Sequence, residues 1–161
     1  MKQSAGILLF RRINRDPQFF LVHPGGPFFA KKDAGAWTIP KGEIIPPENP
    51  LDTAIREFEE ETGRRPAGPF IPLDAIVQKG GKHVLCWAVE GNLDPEKVVS
   101  NTFELEWPPR SGKKVSFPEI DKSGWFTLPE AKQLINERQV SLLEQLVMFL
   151  NGYKKKEYFS P

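Results

Sequence analysis

Residues 42–64 read GEIIPPENPLDTAIREFEEETGR, and they combine a helix signal with a concentration of acidic side chains. Between Asn49 and Thr62 the apolar residues recur at the i, i+3, i+4 and i+7 spacing of an amphipathic helix. These residues are Leu51, Ala54, Ile55 and Phe58. Gly63 is suited to a left-handed helix cap. We therefore predict a helix over residues 49–62 that buries one stripe of side chains.

Three glutamates lie beside that apolar stripe. At about 100° per residue, Glu57, Glu60 and Glu61 share an arc of about 100°, whereas Glu59 points elsewhere. Like charges at these spacings repel one another, and the C-terminal end of a helix disfavours anions. A hard divalent cation such as Mg²⁺, which takes oxygen ligands, resolves the conflict. For three glutamates taken alone, a solvated acidic face is the alternative.

The flanking residues favour a cation site over a solvated face. Gly42 follows Pro40 and Lys41, and there we expect a break in the backbone that turns a loop carbonyl toward the metal. Arg56 directly precedes Glu57 and is placed to hold it by a bidentate contact. Both features predict that these residues form a cation-binding site.

Residues 42–64 resemble the box of the Nudix hydrolases, G-x5-E-x7-R-E-U-x-E-E-x-G-U, in which U is a bulky apolar residue. The matching positions are Gly42, Glu48, Arg56, Glu57, Phe58, Glu60, Glu61 and Gly63. Seven fixed positions at ~5–7% usage each make a chance match rarer than about one in a million. Arg64 is the one departure, because the family has an apolar residue there.

The resemblance implies an α/β fold, a Nudix-type α/β/α sandwich with a central mixed β-sheet. It also implies Mg²⁺, or Mn²⁺, as cofactor and hydrolysis of a nucleoside diphosphate linked to another group. By position, the metal ligands would be Glu57, Glu60, Glu61 and the carbonyl of Gly42. Glu57, Glu60 and Arg56 would be catalytic, with Arg56 orienting Glu57, and Glu48 would be an accessory carboxylate.

Outside the box, the sequence is similar to asymmetric diadenosine tetraphosphate hydrolases. Residues 37–42 read WTIPKG and match the W-T-x-P-K-G run of that group, which diphosphoinositol polyphosphate hydrolases share in part. In the group a further glutamate serves at the metal site or as general base. Glu119, six residues before Trp125, matches its position, with Glu104 and Glu106 as competitors. The expected substrate is therefore a diadenosine polyphosphate.

Substrate contacts are expected from Lys41 and Lys82, which are placed to neutralise a polyphosphate. Residues 101–118 depart from the group and form a basic, proline-rich loop. There Trp107 could stack on a base and Arg110 could bind phosphate, since base stacking contributes about 1–3 kcal/mol. A rigid loop that merely packs Trp107 on the domain is the alternative. Phe28 and Phe29 either line a nucleoside pocket or cap the core.

Other segments predict one sheet with helices beside it. Residues 4–10 and 18–23 suit a hairpin, residues 71–78 and 82–90 an antiparallel pair, and residues 36–39, 103–107 and 124–126 shorter strands. Residues 128–136 and 140–150 suit two further helices. These elements alone predict an α+β or α/β sandwich.

Length, net charge and cysteine content limit the domain organisation and the kinds of partner that this chain is expected to have. With 161 residues we expect one domain over 1–161 that ends in a flexible, solvated tail at 152–161. A net charge of +1 argues against nucleic acid or membrane partners and leaves a small nucleotide as the expected partner. Cys86 is the sole cysteine, so we expect a buried thiol and no intrachain disulfide. The chain is expected to be cytoplasmic, and its oligomeric state stays open.

Two other functional classes remain alternatives. One is a pyrophosphohydrolase of nucleoside triphosphates, diphosphoinositols or capped RNA. The other is a nucleotide-sensing binding module, although such modules usually lose box glutamates and this chain retains them all.

Overall fold

The computed structural model describes residues 2–152. Its strands are β1 (Gln3–Ile13), β2 (Asp16–Pro24), β3 (Lys41–Glu43), β4 (Ile71–Pro72), β5 (Ile76–Val77), β6 (His83–Glu90), β7 (Thr102–Glu106), β8 (Lys114–Pro118) and β9 (Ile120–Phe126). Its α-helices are α1 (Pro50–Thr62), α2 (Leu128–Leu134) and α3 (Val140–Leu150), and 3₁₀ turns cover Pro95–Lys97 and Glu137–Gln139. The expected tail at 152–161 lies outside the described residues, except for Gly152.

A seven-stranded mixed sheet forms the centre of the molecule. Its main order is β4-β6-β1-β2-β9, with β3 beside β1 and β5 beside β6. β1 runs parallel to β6, and the other pairs are antiparallel. The predicted hairpin of residues 4–10 and 18–23 is confirmed as β1 and β2, with Phe10 opposite Phe19.

Helices cover both faces of this sheet. On one face, Ala54 and Phe58 of α1 pack against Ile7 and Leu9 of β1. On the other face, α2 and α3 pack against alternate residues of the same strands, among them Leu8, Phe10 and Leu21. Because side chains alternate along a strand, β1 supplies both cores. The predicted α/β/α sandwich with a central mixed β-sheet is confirmed.

Two strand predictions and one loop prediction need correction. Residues 36–39 form isolated bridges, from Trp37 to Ile135 and from Thr38 to Val22, rather than a strand. Residues 71–78 form two short strands, since the pairing with β6 shifts by one residue between Pro72 and Ile76, as a bulge does. Residues 101–118 are not a loop, because β7 and β8 pair as a separate antiparallel hairpin.

Cys86 lies in β6 and is 2% exposed, as predicted. Burial raises the pKa of its thiol to about 12, which keeps it in the unreactive protonated form. Within residues 2–152, none of the helices has the length and apolar character needed to cross a bilayer.

Candidate functional site

Helix α1 is capped at both ends, by Gly63 as predicted and by Asn49, which the prediction had included in the helix. The Asn49 side chain accepts a hydrogen bond from the Leu51 N–H at 2.9 Å, and Pro50 occupies the first turn. Gly63 closes the helix with φ 77°, and its N–H donates to the Glu59 carbonyl at 2.8 Å. The three box glutamates therefore lie in the last two turns of a well-defined helix.

The predicted division of glutamates around α1 is confirmed. Glu61 is buried at 7% exposure and the Glu57 side chain is 15% exposed, because both lie beside the buried stripe that contains Phe58. The Glu60 side chain is 35% exposed. Glu59 points to solvent, where its closest ion pair, to Arg65, is 3.9 Å long. Three carboxylates thus share one side of the helix.

Gly42 differs from its predicted role. It lies within β3 opposite Ala5, and its φ is not in the left-handed region, so it does not break the backbone. A Cβ at this position would collide with the Glu57 carboxylate. Glycine is required here because the Glu57 side chain occupies the space that another residue would fill. Its carbonyl as a metal ligand stays a prediction.

Glu119 joins this group of acids. It follows β8 directly, its N–H donates to the Asn101 carbonyl at 2.8 Å, and the Asn101 N–H donates to the Glu60 carbonyl at 3.0 Å. Burial raises the pKa of Glu119, and the charge of Glu60 raises it further. The competitors Glu104 and Glu106 are exposed on β7, where Glu106 accepts from the Arg110 N–H. Only Glu119 of the three reaches the acidic side of α1.

Glu61 and Glu57 also resist ionisation in the absence of a cation. Burial raises the pKa of Glu61 to about 9, with added repulsion from Glu57 and Glu119. Burial also raises the pKa of Glu57, and Glu60 adds to that rise. Lys41 opposes the shift at Glu61 through its charge and its backbone N–H. The site therefore carries a repulsion that a positive ion would relieve.

Arg56 contacts three carboxylates, and its bidentate partner is not the predicted one. Its Nε and Nη2 donate to the two Glu48 oxygens at 2.8 and 2.9 Å, and Thr53 donates to the same carboxylate at 2.6 Å. These bonds lower the pKa of Glu48 to about 2. Nη1 donates to Glu57 at 3.2 Å and to Glu60 at 3.0 Å. Arg56 is thus anchored by Glu48 and presents its remaining donors to Glu57 and Glu60.

Among residues 2–152, no three His, Cys, Asp or Glu side chains are already arranged to hold a metal ion. Arg56 now holds Glu57 and Glu60. The donor chemistry nevertheless fits a hard cation, because Glu57, Glu60, Glu61 and Glu119 interact electrostatically with one another and the pKa values of three of them are raised. Box and fold are thus consistent with a divalent cation at this position.

The predicted phosphate-binding lysines lie together. Burial lowers the pKa of Lys41, and the charge of Lys82 lowers it further. Lys41 also interacts with Glu61 and Glu57, so it lies within electrostatic range of both the second lysine and the acids. Because Lys82 comes just before β6 and Lys41 begins β3, the two strands flanking β1 bring these lysines together.

Trp107 and Arg110 lie farther out, on the hairpin formed by β7 and β8. The Trp107 ring makes an edge-to-face contact with Phe28 at 5.6 Å between centroids. Arg110 is exposed in the turn with φ 63°. Phe28 is 61% exposed, so it does not cap the core. The hairpin is joined to the acids at its base, through the bonds of Asn101 and Glu119.

Sequence reasoning missed the contacts of His23, which lies at the end of β2. His23 is completely buried and bonds to both Asp121 and the Lys32 carbonyl. Its position at the end of a strand in the sequence carried no signal of these partners, which lie 98 and 9 residues away.

Comparison with known proteins agrees with this geometry. The NUDIX domain family model matches residues 2–146. An asymmetrical bis(5'-nucleosyl)-tetraphosphatase of Rattus norvegicus is 31% identical over 100 residues, which are 55% of this chain and 64% of that protein. A probable DHNTP pyrophosphohydrolase of Lactococcus lactis is 41% identical over 63 residues, 39% of this chain and 31% of that protein. The chain thus spans less than two thirds of these curated relatives.

Solved structures show the same fold. A C. elegans Ap4A hydrolase binary complex superposes with a TM-score of 0.68 and 23% identity, covering 95% of this chain and all of that one. The NUDIX domain of Shewanella oneidensis NrtR, complexed with ADP ribose, gives a TM-score of 0.64 and 17% identity, covering 92% and 87%. Since the family model spans nearly the whole chain, and box and fold agree with it, this protein belongs to the Nudix family.

Proposed function

We infer that this protein is a metal-dependent pyrophosphohydrolase whose substrate is a dinucleoside polyphosphate, in the first instance a diadenosine polyphosphate. One observation carries the inference. Glu57, Glu60 and Glu61 of α1 and Glu119 of a distant segment repel one another through their charges, and Glu57 fills the space beside Gly42. Such an arrangement is typical of a site in which a bound cation neutralises phosphate oxygens. The similarity to asymmetrical tetraphosphatases supports the substrate class.

The cation would be Mg²⁺, with Mn²⁺ as an alternative, held by Glu57, Glu60, Glu61 and the Gly42 carbonyl. The ion, when bound, supplies positive charge against the phosphate oxygens and makes a coordinated water more acidic. Arg56 orients Glu57 and Glu60 for this task, since it already donates to both. Its anchor on Glu48 keeps those donors in place.

Proton transfer falls to Glu119 or Glu57. Burial raises the pKa of each, so each carboxylate accepts a proton more readily than an exposed glutamate does. Water attacks one phosphorus, its proton passes to the carboxylate, and the bridging P–O bond breaks so that a nucleotide leaves. Lys41 and Lys82 would neutralise the polyphosphate chain, because Lys41 interacts electrostatically both with Lys82 and with the acids Glu57 and Glu61.

The outer rim would bind a nucleoside. Trp107 offers a ring next to the exposed Phe28, on a hairpin that begins and ends beside Glu119. Arg110 in the hairpin turn is placed to bind an outer phosphate. The same proposal includes one domain over residues 1–161 and a cytoplasmic location. It also includes a small-molecule nucleotide, rather than nucleic acid or a membrane, as the partner.

A hydrolysis screen tests the proposal. Dinucleoside polyphosphates, nucleoside triphosphates, nucleotide sugars and inositol pyrophosphates are incubated with the protein in Mg²⁺ or Mn²⁺, and the products are identified. ATP plus AMP from diadenosine tetraphosphate is the expected result. A monophosphate plus pyrophosphate from a triphosphate alone would favour the second candidate, which the similarity to the Lactococcus protein supports. Binding without turnover would favour a nucleotide-sensing module.

A further inference from the structure

His23 is a polar side chain that the proposed chemistry does not use. Its ring is 0% exposed. Nδ1 lies 2.7 Å from Asp121 Oδ1, and Nε2 lies 2.6 Å from the Lys32 carbonyl oxygen. A carbonyl can only accept, so Nε2 carries a proton and donates to Lys32. The other nitrogen, Nδ1, is hydrogen-bonded to the Asp121 carboxyl. One buried side chain is therefore bonded at both ends, to two separate segments.

Those two segments border the proposed active site. Asp121 lies in β9, two residues after Glu119. Lys32 closes a turn in residues 24–33, since its N–H donates to the Phe29 carbonyl at 3.0 Å. Through His23, this turn is fixed to the strand that follows Glu119.

The opposite end of residues 24–33 is also fixed next to Glu119. The Gly25 N–H donates to the Glu119 carbonyl at 2.8 Å, and Gly25 and Gly26 lie so close to Pro118 and Phe103 that a Cβ on either would collide with them. Between these two attachments the segment exposes Phe28, whose ring meets Trp107. The segment that carries Phe28 is therefore attached through Gly25 at one end, and at the other through the bond from His23 to Lys32 and the bond from the Trp37 indole to Asp33.

We propose that His23 is a positioning residue for the nucleoside end of the substrate. Its bond to the Lys32 carbonyl holds the segment that carries Phe28, and Phe28 with Trp107 forms the surface on which a base stacks. This inference rests on the proposed function for its substrate, but its structural part can be tested without turnover.

Two amide variants separate the two bonds of His23. In Asn the side-chain nitrogen falls near the place of Nδ1, so His23→Asn keeps a donor toward Asp121 and loses the one toward Lys32. In Gln it falls near the place of Nε2, so His23→Gln does the reverse. Both variants leave a buried amide, which makes them matched controls for each other. Phe28→Ala, at an exposed position, removes the ring itself.

His23→Asn is expected to raise KM for diadenosine tetraphosphate by roughly 5-fold, the equivalent of one hydrogen bond, with kcat unchanged. His23→Gln is expected to change KM less than 2-fold or so. The inhibition constant of inorganic tripolyphosphate, which has no nucleoside, is expected to stay at the wild-type value in both variants. Phe28→Ala is expected to raise KM as His23→Asn does, and the double variant is expected to add nothing further.

Amide hydrogen exchange provides the readout that needs no substrate. Residues 25–32 are expected to exchange faster in His23→Asn than in His23→Gln, while the rest of the chain matches the wild type. Equal exchange in the two variants overturns the proposal, whether or not any dinucleotide is hydrolysed. If hydrolysis occurs, three further results overturn the proposal. They are an equal change of KM in the two His23 variants, a rise of the tripolyphosphate inhibition constant that matches the rise in KM, and a wild-type KM in Phe28→Ala. The Phe28 result decides the matter should His23→Asn fail to fold.

Discussion

Gly42 and Glu57 compete for one volume: the Cβ that any other residue would carry at position 42 would collide with the Glu57 carboxylate. The glycine sits in β3 and the glutamate on α1, so this relationship joins the strand to the acidic side of the helix. In this chain the first residue of the Nudix box is therefore paired with a carboxylate 15 positions later for a steric reason.

Gly42→Ala is expected to lower kcat by roughly 100-fold while leaving the fold intact. The obstacle is the far end of a flexible side chain, so Glu57 can move aside at little cost in stability, but it then leaves its place at the site. Steady-state kinetics and thermal unfolding check both parts. Gly91→Ala is the control, because a Cβ there meets only Leu9, at 3.1 Å. A Gly42→Ala protein with wild-type kcat would contradict the assignment.

Arg56→Lys is expected to reduce kcat by roughly 10-fold or more. Lysine has one nitrogen and cannot hold both Glu48 oxygens while it also donates to Glu57 and Glu60. Arg12→Lys is the matched control, since Arg12 makes a similar bidentate pair with Glu90 at an exposed position. If the two variants have the same kcat, the positioning role of Arg56 is wrong.

The metal-free protein is expected to lose stability as pH rises from about 4.5 to about 9. The pKa of Glu61 is raised to about 9 from an ordinary value of 4.5, so in this range the folded state holds a proton that the unfolded state has lost. The stabilising contribution is complete below pH 4.5 and disappears as pH passes the folded value. Glu57 and Glu119 act in the same direction.

Thermal unfolding in a chelator from pH 5 to pH 9 measures this effect. Glu61→Gln should flatten the dependence of Tm on pH, because an amide cannot ionise, whereas the exposed Glu59→Gln should retain the wild-type slope. If Tm depends on pH in Glu61→Gln as steeply as in the wild type, burial of Glu61 does not cause the loss of stability with rising pH.

Trp107→Ala is expected to raise KM for diadenosine tetraphosphate by about 5- to 100-fold, the range that base stacking supplies. Trp107→Phe should recover most of the loss, since it keeps an aromatic ring beside Phe28. Unchanged KM in Trp107→Ala would leave the hairpin without a role in nucleoside binding.

The helix and its acids could be predicted because their signals are local. The 3.6-residue period predicted which side of α1 is buried: Ala54 and Phe58 of the predicted stripe are buried, whereas Leu51 and Ile55 are only partly buried. The positions of Glu57 and Glu61 beside the stripe followed from the same period. The resemblance placed Glu119 near them, and the bonds through Asn101 bring it there.

Features set by distant contacts could not be predicted. The pairing of Arg56 with Glu48 depends on the conformation of the loop before α1, which the sequence pattern does not give. The bonds of His23 depend on segments that only the complete fold brings together. The second strand of the hairpin did leave a signal, because Val115 and Phe117 alternate with Lys114 and Ser116. The prolines at 108 and 109 favour a loop, which is why the prediction for residues 101–118 did not follow that alternation.

The most direct test of the central claim is hydrolysis of diadenosine tetraphosphate as a function of Mg²⁺ concentration, by the wild-type protein and by Glu60→Gln. The wild type is expected to be inactive in a chelator and to regain ATP and AMP production when Mg²⁺ is added. Glu60→Gln, with its fold confirmed by circular dichroism, is expected to lose about 100-fold or more of that rate. Wild-type rates in Glu60→Gln, or undiminished turnover in the chelator, would contradict the account.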